Sequence, residues 1–348
     1  MTATWQDIFA KDATLFPHLA DLQKAEILLS TLSEEAYRKA SFLDQRMFSP
    51  ELQRQVVRWS DVAAIALPDC PKPQYIFHIG HVGSTLISRL LGEHPAVLAL
   101  REPAILRQIA EAWVTQPANI PWSFAQLGPV VDKLETWLAR IFEPGQRVMI
   151  KASSFVSPLA KPLLRDGGDA LFLFTSLERY LQTILAGDAS IQEAAALADI
   201  RLLRLAQLCR CEFPSKDSLS LVQTIALGWI CEMATLCATH SACPDAHISW
   251  LDFDRFLAEP LRQLQLIAHD FQLDLSETEA RELIASPIMT SYSKAPEFEY
   301  SASLRAELLA EAAKIHADDI RHTLLWVENL AQDIPLIATA MATAETRR

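Results

Sequence analysis

The sequence predicts an α/β fold, a parallel sheet covered by helices on both faces, and three observations carry that prediction. Residues 75–103, YIFHIGHVGSTLISRLLGEHPAVLALREP, read without interruption as strand, glycine-containing turn, helix and second strand. Five short, nearly continuous apolar runs, at 75–79, 97–101, 148–151, 171–175 and 248–253, alternate with helical segments. Runs of that kind belong to strands buried on both faces, as parallel strands are. Half of the 348 residues are hydrophobic, enough for one full core.

Taken in order, residues 1–70 read as a helical N-terminal extension. Apolar residues recur at three and four spacing over 22–32 and 34–43, and Ser49-Pro50 opens 51–59. Pro68, Pro71 and Pro73 mark a linker, after which 71–335 form the α/β domain. Within it the Ala- and Leu-rich stretch 177–240 is expected to be a helical cap over the sheet edge. A loop is expected at 293–299, and the Ala/Thr-rich end, 336–348, is expected to be a frayed tail. The stretch LSLVQTIALGWICEMATLCA at 219–238 has the length of a membrane span, but Gln223 and Glu232 interrupt it. A glutamate at mid-membrane would cost about 3 kcal/mol, so a buried helix is expected and no membrane partner.

With 31 Lys+Arg against 43 Asp+Glu the net charge is −12, which argues against nucleic acid as a partner. An anionic ligand must therefore be held locally. The six cysteines include no C-x-x-C pair and no histidine at zinc spacing, so they read as reduced core residues and no metal is expected. Residues 1–10 are polar where a signal peptide needs an apolar stretch, and a cytoplasmic location is expected.

The chemistry concentrates in the first turn of the α/β segment. Gly80 and Gly83 bracket a turn whose backbone can approach a ligand, and Ser84 and Thr85 open the helix. Leu86, Ile87, Leu90 and Leu91 then lay down an apolar stripe, and His94-Pro95 stops it. Along Gly80, His81, Val82, Gly83, Ser84, Thr85 and Leu86, free amides, the helix dipole and two hydroxyls make a cradle for phosphate or sulfate oxygens. A nucleotide P-loop, G-x-x-x-x-G-K-S/T, has a lysine that is missing here, and Gly80 and Gly83 lie only three apart. An ordinary kinase is thereby disfavoured, since it would also need a Mg²⁺ carboxylate that the sequence does not place. Gly80, Glu102, Lys151 and Ser176 all fall at the carboxyl ends of expected strands, where such sheets bind ligands.

From 79 to 91 this segment resembles the 5′-phosphosulfate-binding loop of sulfotransferases, P-K/R-S-G-T-T-x-L-x-x-x-L, with Gly83, Ser84 and Thr85 on its G-T/S-T core and His81 at the usual lysine or arginine. Residues 147–153, RVMIKAS, resemble the family strand whose lysine, here Lys151, reaches the transferred sulfuryl group. Residues 171–185, LFLFTSLERYLQTIL, resemble the 3′-phosphate strand and helix, R-D-P-x-x-x-x-x-S, with Thr183 at the serine and Thr175 in place of the arginine. Residues 249–273 resemble the Y-E-D-L-x-x-D-P stretch of many bacterial members. The resemblance covers roughly 75–327.

It implies a P-loop NTPase-like sulfotransferase fold of bacterial type and 3′-phosphoadenosine-5′-phosphosulfate as donor. The acceptor would be a hydroxyl or amine of a small molecule or glycan. On this reading Glu102 is the base, Lys151 stabilises the leaving oxygen, and His81 donates to a sulfate oxygen. Thr183 and Ser176 would bond the 3′-phosphate, and Arg179 and Lys294 are the nearest candidates for its missing counter-charge. The departures at His81 and Thr175 keep open a degenerate fold that binds nucleotide or protein without turnover. Acceptor identity and oligomeric state are not written in the sequence.

Overall fold

In the computed structural model, which describes residues 3–290 and 302–347, the first 70 residues mix three strands with three short helices rather than forming a helical unit. β1 (Leu15–Asp21), β2 (Glu26–Thr31) and β3 (Arg54–Arg58) form an antiparallel sheet in the order β1-β2-β3. This corrects the expected helical extension: α-helix here is confined to Trp5–Lys11, Glu34–Lys39 and Trp59–Ala63. The apolar run in β2 satisfies either period, and its pairing with β1 and β3 decides for the period of two that buries Ile27 and Leu29 completely. Pro17 sits at a register shift in edge strand β1, a position where a missing N–H does no harm.

Two buried guanidinium groups bind this layer to the rest. Arg140 Nη1 donates to the carbonyls of Phe9 (2.8 Å) and Asp12 (2.7 Å), and Nη2 to that of Leu15 (2.6 Å). Arg101 Nη1 donates to the carbonyls of Tyr37, Arg38 and Ala40.

The five expected strands are all present: β4 (Gln74–His78), β5 (Val97–Arg101), β6 (Arg147–Lys151), β7 (Gly168–Phe174) and β8 (Ala246–Asp252). They form one parallel sheet in the order β5-β6-β4-β7-β8. Every residue of β4 and β5 is buried. Because successive side chains point to opposite faces, both faces of the sheet are covered. β4 lies at the centre, and the chain goes first to one side of it (β5, β6) and then to the other (β7, β8). Such a reversal leaves a crevice at the carboxyl ends of the strands.

The region 177–240 is helical, and its long helix Leu221–Ala242 packs against the helices Leu177–Leu185, Ala198–Cys209 and Pro335–Thr346. This helix has the length and composition to cross a membrane, yet 83% of its apolar window is buried inside the protein. Glu232, which breaks its apolar run, receives hydrogen bonds from buried Arg204 at 2.7 and 2.9 Å. The expected frayed tail is instead part of the helix Pro335–Thr346, which starts on a proline and buries Ile337 and Ala340 completely. The loop expected at 293–299 lies outside the described residues.

Candidate active site

The helix after β4 spans Ser84–Gly92, and its N-cap is Gly83, whose φ of 64° is left-handed. Glycine is required there twice over. A β-carbon would stand 1.9 Å from Cε2 of Phe253, the ring that covers the turn from beyond β8. No side chain caps the helix, so the first-turn amides of Ser84, Thr85 and Leu86 have no partner from the N-cap or from within the helix. Thr85 Oγ1 is buried and has no hydrogen-bond partner among the described residues. An open helix start with an unsatisfied hydroxyl beside it suits an anion.

One amide of the expected cradle is already committed. Gly80 N–H donates to His78 Nδ1 at 3.0 Å, so His78, at the end of β4, shapes the turn from below. His81 carries a positive φ of 56°, uncommon for a residue with a side chain. Its Nε2 lies 3.8 Å from Glu193 Oε2, across from the cap helix Asp188–Ala196.

Opposite the turn, Glu102 and Lys151 stand at the ends of neighbouring strands. Their side chains form an ion pair, with the Lys151 side chain 1% exposed and that of Glu102 22%. Glu102 also has a left-handed φ of 51°. Its amide donates to the Lys151 carbonyl at 2.7 Å, and this continues the ladder past the last residue of β5 while the chain turns sharply. Backbone strain of this kind persists only where the surroundings hold it, and it gathers at functional sites.

These residues line one cavity of about 610 Å³, together with Thr183 and with Ser153, whose buried Oγ also lacks a partner among the described residues. Among the described residues the wall carries five cations, Arg46, Arg107, Lys151, Arg201 and Arg305, against the carboxylates Glu102 and Glu193. A protein of net charge −12 thus has a local excess of positive charge at this cavity.

Of the other residues expected in the site, the cavity wall includes Gly80, His81, Val82, Gly83, Ser84, Thr85 and Leu86 but not Thr175, Ser176 or Arg179. Thr175 is buried, and its carbonyl accepts from Trp229 Nε1 at 2.8 Å. Ser176 caps the helix Leu177–Leu185 by accepting from the Arg179 amide. Arg179 Nε donates to Asp254 at 2.8 Å. Thr183 reaches the cavity, but its hydroxyl proton is donated to the Arg179 carbonyl at 2.8 Å. Lys294 lies outside the described residues. Sequence reasoning did not single out Ser153, Phe253, Arg201 or Arg305. Each is distant in sequence from the turn; Ser153 and Phe253 fall inside stretches that drew notice for other residues, and no local pattern marks Arg201 or Arg305.

No family model matches the chain, and no curated protein matches it in sequence. The solved structures similar to it include the sulfotransferase domain from the curacin biosynthetic pathway, at 11% identity and a TM-score of 0.43 over 72% of this chain and 99% of that one. The sulfotransferase from Alicyclobacillus acidocaldarius is similar at 14% identity and a TM-score of 0.35, over 72% of this chain and 94% of its own. Sulfotransferase STF1 from Mycobacterium tuberculosis H37Rv is similar at 18% identity and a TM-score of 0.32, over 73% of this chain and 79% of its own.

Proposed function

We propose that the protein is a sulfotransferase that moves a sulfuryl group from 3′-phosphoadenosine-5′-phosphosulfate to a hydroxyl or amine of a small-molecule or glycan acceptor. The observation that carries this reading is the Glu102–Lys151 ion pair on the wall of the cavity that holds the uncapped helix start at Ser84. The amides of Ser84, Thr85 and Leu86 and the Thr85 hydroxyl would receive the phosphosulfate oxygens. Glu102 stands beside the Lys151 ammonium at the cavity wall, placed to act as the base. It would take the proton of the attacking hydroxyl as the new S–O bond forms. The old S–O bond breaks, and the Lys151 ammonium would offset charge on the departing phosphate oxygen.

A second reading, a nucleotide binder without turnover, is favoured by one observation. The strand end that would carry a 3′-phosphate arginine carries Thr175, which is buried away from the cavity. A thermal-shift panel separates the possibilities, because a ligand that binds only the folded state at 100 times its dissociation constant stabilises it by about 2.7 kcal/mol. Stabilisation by 3′-phosphoadenosine 5′-phosphate without metal, and sulfation of an acceptor in a screen with the labelled donor, is the expected result. Metal-dependent stabilisation by ATP alone would replace it with a kinase, and nucleotide binding without any transfer would favour the second reading.

A further inference from the structure

Among the described residues, buried guanidinium groups are supplied with acceptors, with one exception. Arg140 and Arg101 each donate to several carbonyls, with only Nε of Arg101 left over. Arg204 is held by Glu232 and Ser157. Arg201, one turn earlier on the same helix, Ala198–Cys209, is as deeply buried at 5% exposure, yet its Nε and Nη1 have no hydrogen-bond partner among the described residues. The nearby Glu232 is already taken by Arg204, and burial pushes the Cys231 thiol up to about 12, so it offers no negative charge. A cation taken out of water without a counter-ion is expensive, and a fold keeps one where a ligand completes it.

Arg201 is also placed to meet a ligand, since it lines the same cavity as the cradle. Space for its head is kept by Gly228 of the long buried helix. A β-carbon there would lie 2.9 Å from Arg201 Nη1 and 2.6 Å from Tyr180 Oη. Glycine inside a helix costs about 1 kcal/mol relative to alanine, so the gap is not a product of helix propensity. Tyr180 lines the cavity too, one turn before Thr183 on its helix.

We propose that Arg201 forms a second oxyanion subsite in this cavity, which takes a carboxylate, sulfate or phosphate group of a ligand bound beside the cradle. The proposal rests on the sulfotransferase reading for the neighbouring group, and the anion can then come from two sources. It belongs to an acidic acceptor, or it is the 3′-phosphate of the donor.

The test compares the parent, Arg201→Gln and Arg201→Lys. Inorganic sulfate is titrated by calorimetry into each protein, free and saturated with 3′-phosphoadenosine 5′-phosphate, and that nucleotide is compared with adenosine 5′-phosphate. The expected result is sulfate binding that survives nucleotide saturation and weakens at least about tenfold in Arg201→Gln, with partial recovery in Arg201→Lys. That outcome assigns the subsite to the acceptor. If saturation abolishes the response, and Arg201→Gln weakens 3′-phosphoadenosine 5′-phosphate but not adenosine 5′-phosphate, the subsite stands and its anion is the 3′-phosphate. Equal affinity of parent and Arg201→Gln for all three probes overturns the proposal. Should the parent not bind the nucleotide at all, the sulfotransferase reading falls by itself, and the sulfate comparison on the free protein still decides Arg201. Arg201→Gln is expected to melt no lower than the parent, because it removes an unpaired buried charge. If it fails to fold by circular dichroism, Arg201→Lys carries the comparison.

Discussion

Lys151 and Glu102 are joined twice, through their side-chain ion pair and through the Glu102 amide, which donates to the Lys151 carbonyl at 2.7 Å. The main-chain bond extends the β5–β6 register, in which Arg101 faces Lys151, by one residue. The left-handed turn at Glu102 then sends the chain away and leaves the carboxylate over the buried ammonium. The position of the proposed base is therefore tied to Lys151 through main chain and side chain together.

Replacement of Glu102 by Gln should leave nucleotide affinity near the parent value and lower turnover by about two to four orders of magnitude. It should also destabilise the fold by on the order of 3 kcal/mol, because Lys151 loses the counter-ion of a buried pair. Calorimetry, an acceptor assay and urea unfolding read the three effects. Turnover at the parent rate would make Glu102 a structural residue.

Gly83→Ala should weaken the anion cradle at least tenfold and cost about 1–3 kcal/mol, since the new methyl runs into the Phe253 ring at a backbone angle that alanine resists. Adding Phe253→Ala should relieve the clash but not the backbone strain. Urea midpoints of the single and double variants test this: no recovery in the double variant would mean that the ring is not what excludes a β-carbon.

Arg179→Ala should not change the preference for 3′-phosphoadenosine 5′-phosphate over adenosine 5′-phosphate. Its guanidinium is held by Asp254 and Gln182 and stays off the cavity wall. A preference reduced by more than about threefold, roughly 0.7 kcal/mol, would put Arg179 back beside the nucleotide.

Glu232→Gln should cost about 3–5 kcal/mol, as it leaves the Arg204 guanidinium in the core without its counter-charge. The double variant Arg204→Met with Glu232→Leu should regain most of that loss. Parent-like unfolding of the single variant would show that the pair is not closed in solution.

Stability should fall as the medium is acidified past the ordinary histidine value of 6.5, in part through His18. Burial holds this imidazole below that value, and its ring nitrogens are engaged with Ser30 Oγ (2.9 Å) and the Asp44 carbonyl (3.0 Å). With the folded-state pKa depressed, the unfolded chain binds more protons below 6.5, so stability is complete above that pH and is lost as pH decreases through the window beneath it. Urea unfolding at pH 7 and pH 5 should show a smaller loss for His18→Asn than for the parent. Equal losses would place the pH sensitivity elsewhere.

The five strands of the parallel sheet, the turn at Gly80 and Gly83 and the helix opened by Ser84 were legible in the sequence, because each depends on residues that are neighbours in the chain. A short run that is apolar at every position is buried on both faces wherever it goes, and a left-handed glycine before a helix leaves the same amides open in any surroundings. Residues 15–31 were misread for the complementary reason: their apolar spacing is compatible with helix and strand alike, and β1, β2 and β3 become strands only by pairing with one another.

Tertiary structure alone decided which polar groups are spent and which are left over. His78 takes the Gly80 amide, Asp254 takes Arg179, and Glu232 takes Arg204 rather than Arg201. Phe253, 170 residues beyond Gly83 in the numbering, determines that nothing larger fits there. Residue type fixes what a side chain can donate or accept, but the partner it meets depends on which distant elements pack against it. The sequence therefore determined the parallel strands and the glycine turn before the helix, and packing determined the charge that faces them.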